Sequence, residues 1–217
     1  SVAPDGKLIL KSFHRWKEKI RETIFQNEFP DFIPLLRNGT AKQRDGDGSH
    51  EFGCVSGYEV FCYSNATEHF MWEGRIKVTG VGKCGLVFNA NEDGDGYYIS
   101  LDTVQGFAQI RAWAKNPENI YKDYVFDNIQ TNNFDPNDDL EYGFQLIRYG
   151  HYIEFSIDGV VTLSLVDGRF ANSMLGIYCE SARVLLTESS LKLLSDDIED
   201  EICSHGETWD TTIMIPD

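Results

Sequence analysis

Hydrophobic residues follow two different periods along the chain. The first period falls between residues 8 and 28, where apolar side chains recur at steps of three and four: Leu8, Phe13, Trp16, Ile20, Ile24 and Phe25. Such spacing places the apolar side chains on one face of a helix, and Pro30 would end that helix. The sequence therefore predicts an amphipathic N-terminal α-helix over residues 8–28.

From about residue 51 the apolar positions alternate with polar ones. The alternating or short apolar segments are 70–78, 84–89, 97–101, 108–112, 140–146, 174–180 and 183–193. Residues 151–165 contain two further alternating runs around Asp158-Gly159, a strong signal for a tight β-hairpin. Many short strands separated by turns indicate a mainly β fold. We predict an antiparallel two-sheet β-sandwich with an N-terminal α-helix.

The domain organisation follows from the same pattern. Residues 37–50 are polar and glycine-rich, as in a connector. The interpretation is an N-terminal helical extension and linker over 1–50, a β-sandwich over 51–194 and an acidic C-terminal tail over 195–217.

Charge narrows the classes of partner. The chain has 19 Lys and Arg against 35 Asp and Glu, a formal net charge of −16 over 217 residues. Nucleic acid and anionic membrane surfaces are bound by clustered basic residues, so this composition argues against both partners. There is no apolar run of about 18 residues, as a membrane-spanning helix would need, and the N-terminus lacks the pattern of a signal peptide. Neutral or cationic partners remain, and sugars are the obvious neutral class.

The acidity is uneven. Residues 1–44 carry nine basic and five acidic residues, whereas residues 195–217 carry eight acidic residues and no basic one. The interpretation is a basic N-terminal segment packed on an acidic body, followed by a solvated acidic tail.

The five cysteines do not form a metal-binding or redox motif. Their number is odd and no two are spaced as in CxxC: Cys54, Cys62, Cys84, Cys179 and Cys203. We expect most of them to be small buried hydrophobic residues, with one Cys54–Cys62 disulfide as the alternative. The odd count is compatible with the cytoplasm as well as with an extracellular location, so the localisation stays open.

A short acidic segment, residues 89–98, is the richest candidate for chemistry. Asp93 and Asp95 lie among glycines directly before a predicted strand. Carboxylates accept hydrogen bonds from paired sugar hydroxyls, and a carboxylate pair with backbone carbonyls also suits a calcium ion. The alternative is a turn that only connects two strands.

The strand after this segment adds a second candidate. Gln109, Arg111 and Trp113 are two residues apart and share one face of it. An exposed Trp stacks on sugar C–H groups while a neighbouring guanidinium binds hydroxyls. Glu73 lies on the polar face of another strand and is a further hydroxyl acceptor. The alternative is that a loop buries Trp113 and that Arg111 is ion-paired.

Catalytic motifs are weak. The five histidines are scattered, and neither a metalloprotease motif nor a glycine-rich phosphate loop occurs. A glycoside hydrolase would need two facing carboxylates, which sequence alone does not reveal. We therefore predict no catalytic residue.

The run from Gly85 to Asp102 (GLVFNANEDGDGYYISLD) resembles a segment of concanavalin A-like sandwich modules. Those modules accompany fructan-cleaving enzymes of glycoside hydrolase family 32, and they include the levan-binding carbohydrate-binding module family 66. Residues 155–159 (FSIDG) and 174–178 (MLGIY) are similar to later strands of the same modules. Residues 2–11 resemble the junction at which the five-bladed propeller of such enzymes enters its C-terminal sandwich.

The resemblance implies that the sandwich is a concanavalin A-like jelly roll. It also implies a non-catalytic carbohydrate-binding module that recognises the terminal fructose of a fructan. The residues that match the binding pattern of the family are Glu73, Asp93, Asp95, Tyr98, Arg111 and Trp113. The implied partner is a neutral oligo- or polysaccharide; no cofactor is required, and calcium is compatible with the site. One alternative is an accessory domain that docks on a propeller through the helix around Trp16 and Lys17. A second alternative is a glycoside hydrolase in its own right.

Overall fold

Strands make up most of the chain in the computed structural model, which describes residues 16–27, 31–46, 48–64, 69–115 and 124–196. One helical turn occupies residues 16–18. The strands are β1 (Ile20–Gln26), β2 (Ile33–Pro34), β3 (Ala41–Gly46), β4 (Ser49–Cys54), β5 (Tyr58–Ser64), β6 (His69–Ala90), β7 (Gly96–Asp102), β8 (Phe107–Lys115), β9 (Tyr124–Asn133), β10 (Glu141–Tyr149), β11 (Tyr152–Ile157), β12 (Val160–Val166) and β13 (Met174–Leu194).

Two long antiparallel strands, β6 and β13, form the spine of the molecule. They pair from Met174 opposite Ala90 to Leu193 opposite Phe70, and the register shifts at three places. One shift follows Glu180, where Ser181 and Gly80 both have positive φ angles of 51° and 104°. Positive φ and bulges bend a strand, so each spine strand contributes to both layers of the sandwich.

The remaining strands extend the two halves of this spine. In the first layer, β7, β8 and β9 follow β6 on one side, and β5 and β2 follow β13 on the other. In the second layer, β10, β11 and β12 follow β6, and β1 pairs with β13. Strand β4 pairs with the middle of β13, and β3 pairs with β4. Side chains of β9 and β12 join the layers at one edge, since Asn132 Nδ2 donates to the carbonyl of Thr162 (3.0 Å).

The core lies between the two layers and confirms the predicted mainly β, antiparallel sandwich. It includes large buried side chains of both spine halves, such as Phe70, Trp72, Phe88 and Ile177. The hairpin at Asp158-Gly159 is confirmed as well, because β11 and β12 flank it. Several predicted strands merge: 70–78 and 84–89 are both β6, and 174–180 and 183–193 are both β13.

The predicted N-terminal helix is wrong over most of its described length. Helix is confined to residues 16–18, and Ile20–Gln26 is instead strand β1, paired with β13. Two register shifts in β1 break the alternation of inward and outward side chains, which explains its helix-like spacing of apolar residues. Residues 8–15 lie outside the described residues.

The extension expected over 1–50 therefore contributes strands to the sandwich. β2 pairs with β5, and β3 pairs with β4, so the described residues before 51 belong to the same sheet as those after it. Of the acidic tail, only Ser195 and Asp196 lie within the described residues.

The cysteines in the described residues are buried and reduced, as expected: Cys54, Cys62, Cys84 and Cys179. The alternative Cys54–Cys62 disulfide is not formed, and Cys203 lies outside the described residues. None of the helical structure in the described ranges has the length and hydropathy needed to cross a membrane.

Candidate functional site

A group of polar and aromatic side chains lies on the outer surface of the first layer. We call it the Tyr58–Arg111 face and define it by Tyr58, Gln109, Arg111, Tyr178 and Glu180. Strand register places these residues together. Tyr58 is opposite Glu180, and a row of paired positions runs from Tyr178 across β6 and β7 to Gln109. Since alternate residues of a strand share a face, Arg111 lies beside Gln109 and Glu180 beside Tyr178.

Arg111 presents its guanidinium along this surface. Its Nη2 donates to Oε1 of Gln109 over 2.7 Å, and the side chain is half-buried. A guanidinium has five N–H donors in a planar fork, so it binds vicinal hydroxyls well.

The hydroxyl of Tyr178 donates to Oε2 of Glu180 over 2.6 Å. Burial raises the pKa of Tyr178 well above its ordinary value, and the hydrogen bond to the Glu180 carboxylate raises this pKa further. Tyr178 is consequently a neutral donor at physiological pH, and it orients the carboxylate of Glu180 at the surface.

Tyr58 supplies an exposed aromatic ring. Its side chain is 41% exposed, and its ring lies roughly parallel to that of Tyr178, with centroids 6.3 Å apart. The ring of Trp113 meets it edge-on at 6.0 Å. These contacts fix the orientation of Tyr58 and leave part of its ring open to a ligand.

Trp113 is buried, so the prediction that its exposed ring stacks on a sugar is wrong and the alternative, a Trp113 covered by a loop, is correct. Only 1% of Trp113 is exposed, and its ring packs 4.6 Å from that of Tyr98, which is also buried. Leu35 and Leu36 pack against this pair, and the Tyr98 hydroxyl donates to the carbonyl of Gly94. A segment after β2 and the acidic loop thus cover both rings.

The acidic loop is organised by Asn91. Its Oδ1 accepts the backbone N–H of Asp93 (2.9 Å) and of Asp95 (3.0 Å), and its Nδ2 donates to Asp95 Oδ2 (3.2 Å). Asp93 is exposed and Asp95 is half-buried. Gly96, directly after the loop, pairs with Trp113, two residues from Arg111. The loop therefore lies at the end of the Tyr58–Arg111 face.

Calcium at this loop stays a prediction. Among the described residues, no group of three or more His, Cys, Asp or Glu side chains is arranged to hold a metal ion. The side-chain Oδ1 of Asn91 already accepts two backbone N–H groups. The oxygen ligands best placed for a cation are therefore the two carboxylates.

Glu73 lies apart from the other candidates, in the second layer. Its Oε1 accepts a hydrogen bond from Gln145 Nε2 (2.8 Å), and Lys192 Nζ is 3.9 Å from its Oε2. It lines a shallow cavity of about 300 Å³ with Ser156 and Ser190. Because β6 runs 22 residues from His69 to Ala90, Glu73 and the acidic loop are at opposite ends of the spine.

Sequence reasoning missed three residues of the Tyr58–Arg111 face. Tyr178 and Glu180 have the two-residue spacing of one strand face, which was a usable signal. Tyr58 had no such signal, because its role depends on the pairing of β5 with β13.

One of the two residues expected to dock on a propeller packs on the chain's own sandwich, whereas Lys17 is exposed. Trp16 is buried against Tyr149 and Tyr152, and its Nε1 donates to Glu154 Oε2 over 3.2 Å. The helical turn therefore packs on β10 and β11 through Trp16, and docking on a propeller stays a prediction.

Two solved structures share this fold over nearly their whole length. The carbohydrate-binding module CBM66 from Bacillus subtilis superposes with a TM-score of 0.63 and 13% identity, over 76% of this chain and 97% of that one. A protein of unknown function with a galectin-like fold, also from Bacillus subtilis, gives a TM-score of 0.60 and 14% identity, over 81% and 97%.

A functionally unknown protein from Saccharomyces cerevisiae is similar with a TM-score of 0.50 and 11% identity, over 76% of this chain and 97% of that one. No protein-family model matches this sequence, and no curated protein matches it. These similarities bear on the fold alone, which is an antiparallel β-sandwich.

Proposed function

We propose that this chain binds a neutral carbohydrate, without cleaving it, on the Tyr58–Arg111 face and the adjoining acidic loop. One observation carries the proposal: an exposed tyrosine ring lies on the same face as an arginine and an oriented carboxylate. A ring face stacks on sugar C–H groups, and the charged groups hydrogen-bond to hydroxyls. The name of one structural neighbour, a carbohydrate-binding module, supports the same class of ligand.

Within this site the roles follow from exposure. Arg111 would donate to sugar hydroxyls, while Asp93, Asp95 and Glu180 would accept from them. Tyr58 replaces Trp113 as the stacking ring. Tyr98 and Trp113 support the surface from below, because both are buried. Glu73 lies in the other layer and is not part of the proposed site.

We propose terminal fructose of a fructan as the ligand. The resemblance of residues 85–102 to modules of fructan-active enzymes supports this choice. A chain end has more free hydroxyls than an internal unit, which suits a surface with one cation flanked by several carboxylates.

Calorimetric titration with levan tests the proposal. We expect weak binding by the parent chain, and Arg111→Ala to weaken it by about 10- to 100-fold, since hydrogen bonds to charged groups contribute about 1.5–3 kcal/mol. Tyr58→Ala should weaken it by about 3- to 10-fold through lost stacking, whereas Tyr58→Phe should bind as the parent does.

Arg21→Ala is the matched control, because Arg21 is an exposed arginine on β1, remote from the face. Binding should be unchanged by this variant. If the parent binds no levan, inulin or other neutral glycan, with or without calcium, the proposal is wrong. If Arg111→Ala and Tyr58→Ala both bind like the parent, the site lies elsewhere.

A further inference from the structure

A basic groove lies on the outer surface of the middle of the spine, where β4 pairs with β13 and β3 extends the sheet beyond β4. Its volume is about 800 Å³. Its charged lining residues are Lys42, Arg44, Arg183 and Glu51. A predominantly basic groove is unusual on a chain with 35 acidic and 19 basic residues.

Strand register brings the cations together. Lys42 pairs with Gly53, Gly53 with Arg183 and Arg183 with Thr79, so one row crosses four strands. Neighbouring strands are about 4.8 Å apart, which places the Cα atoms of Lys42 and Arg183 about 10 Å apart. The next row along the same surface holds Arg44 and, on β6, Lys77.

Lys42 and Arg183 have no acidic partner among the described residues, whereas Arg44 has one. Arg44 pairs with Glu51 over 2.7 Å, which neutralises the acidic residue of the groove lining. Lys42 and Arg183 make no ion pair with any described residue. Like charges close together repel unless an anion lies between them, so this arrangement favours a negatively charged ligand.

Gly53 opens the floor of the groove. A Cβ atom at this position would lie 3.2 Å from Cγ of Arg183, so the stem of Arg183 crosses the strand where a side chain is missing. The Arg183 side chain therefore extends towards β4, which lies between β13 and β3. A ligand above β4 can contact both Arg183 and Lys42.

The uncharged polar residues that line the groove indicate which class of anion it suits. Thr79 and Gln43 line the groove and offer a hydroxyl and an amide for hydrogen bonds, as sugar hydroxyls require. Two unpaired cations about 10 Å apart need a ligand with more than one negative group. A uronic-acid polysaccharide has both properties.

We propose that this groove is a second site, which binds an acidic polysaccharide through its carboxylates. The choice of a saccharide over another polyanion rests on the proposed carbohydrate-binding function, whereas the choice of an anion rests on the groove alone.

Binding of polygalacturonate to the full chain tests the proposal. We expect binding that weakens as NaCl rises from 50 to 500 mM, because salt screens exposed ion pairs. A Lys42→Gln/Arg183→Gln double variant should bind about 3- to 20-fold more weakly, the range for losing two exposed ion pairs. Both residues are exposed, so the fold should persist, as circular dichroism would verify.

Controls separate this site from the first. Arg21→Gln removes an equal charge on β1 and should bind polygalacturonate like the parent. Arg111→Ala should also retain polygalacturonate binding, while the double variant should retain levan binding. A parent chain that binds polygalacturonate but no neutral glycan would thus overturn the first proposal and leave the anion-binding role of this groove standing.

Three results would overturn the basic-groove proposal. The first is unchanged polygalacturonate binding by the double variant. The second is equal binding of fully methyl-esterified, uncharged polygalacturonate, which would remove the role of charge. The third is equal binding of polyglutamate at this groove, which would assign it to acidic peptides instead of saccharides.

Discussion

At the scale of single residues, the buried charge of Arg148 holds one end of the sandwich together. Its guanidinium donates to the carbonyls of His151 (3.3 Å), Asp167 (2.8 Å) and Phe170 (3.2 Å), and it lies 5.1 Å from the ring centroid of Tyr97. Buried charges are tolerated only where hydrogen bonds compensate their lost hydration. Arg148 therefore fixes the loop between β12 and β13.

Asp167 in this loop has a depressed pKa. Burial alone would raise the pKa of this carboxyl group, but hydrogen bonds from the Tyr97 hydroxyl and the Arg169 backbone N–H outweigh burial. The charge of Arg169, 3.2 Å away, lowers the pKa further. The folded state thus favours the ionised form more than the unfolded state does.

This shift predicts a pH-dependent stability. Above about pH 4, the unfolded pKa of Asp, the carboxylate stabilises the fold, and this contribution is lost as the pH falls through the lower folded pKa. Asp167→Asn should lower the free energy of unfolding by about 1–3 kcal/mol at pH 7. The difference from the parent should shrink in acid, as urea denaturation at several pH values would measure. A constant difference at all pH values would contradict the assignment.

At the scale of elements, the strands with clean alternation could be predicted from sequence, and those set by pairing could not. The Asp158-Gly159 hairpin was predictable because the turn and both strands are local. β1 was not, since its bulges shift the alternation and only its pairing with β13 defines it. The same reason explains which site residues could be predicted. Arg111 could be predicted from the spacing within one strand, whereas the contact of Tyr58 with Tyr178 arises between two strands.

The assignment of β1 predicts a large effect of Phe25→Ala. Phe25 is buried, and its ring meets that of Tyr63 edge-on at 5.7 Å. Removing a buried phenylalanine side chain costs about 3–5 kcal/mol, whereas Arg21→Ala on the exposed side of β1 should cost less than about 0.5 kcal/mol. Equal small effects of both variants in thermal denaturation would mean that this segment does not pack in the core.

The segment after β2 that covers Trp113 is held by one buried carboxylate. Glu59 accepts the backbone N–H groups of Leu36 (2.9 Å), Asn38 (2.7 Å) and Val60 (3.0 Å). Because an alanine side chain has no hydrogen-bond acceptor, Glu59→Ala should release this segment and speed amide exchange at Leu36 and Asn38. Hydrogen exchange measured by NMR would show this, with Glu51→Ala on β4 as the control, because Glu51 is half-buried and lies where β4 pairs with β3. Unchanged exchange would mean that apolar contacts alone hold the segment.

At the scale of the whole molecule, charge separates two binding surfaces. The net charge of −16 argues against anionic partners only for the chain as a whole. The groove over β3, β4 and β13 has two cations without an ion pair among the described residues, so this part of the surface suits an anion. The Tyr58–Arg111 face lies in the first layer, beyond the bend of the spine. One sandwich thus offers one surface suited to neutral hydroxyls and another suited to carboxylates.

The most direct test of the central claim is NMR titration of the ¹⁵N-labelled chain with a levan oligosaccharide. The titration would follow three side-chain signals: the Nε–H of Arg111, the amide of Gln109 and the amide of Gln145 beside Glu73. The account predicts that the first two shift with a common saturation curve, while the third stays unchanged. A shift of the Gln145 amide with no change at Arg111 would contradict it and place the ligand at Glu73.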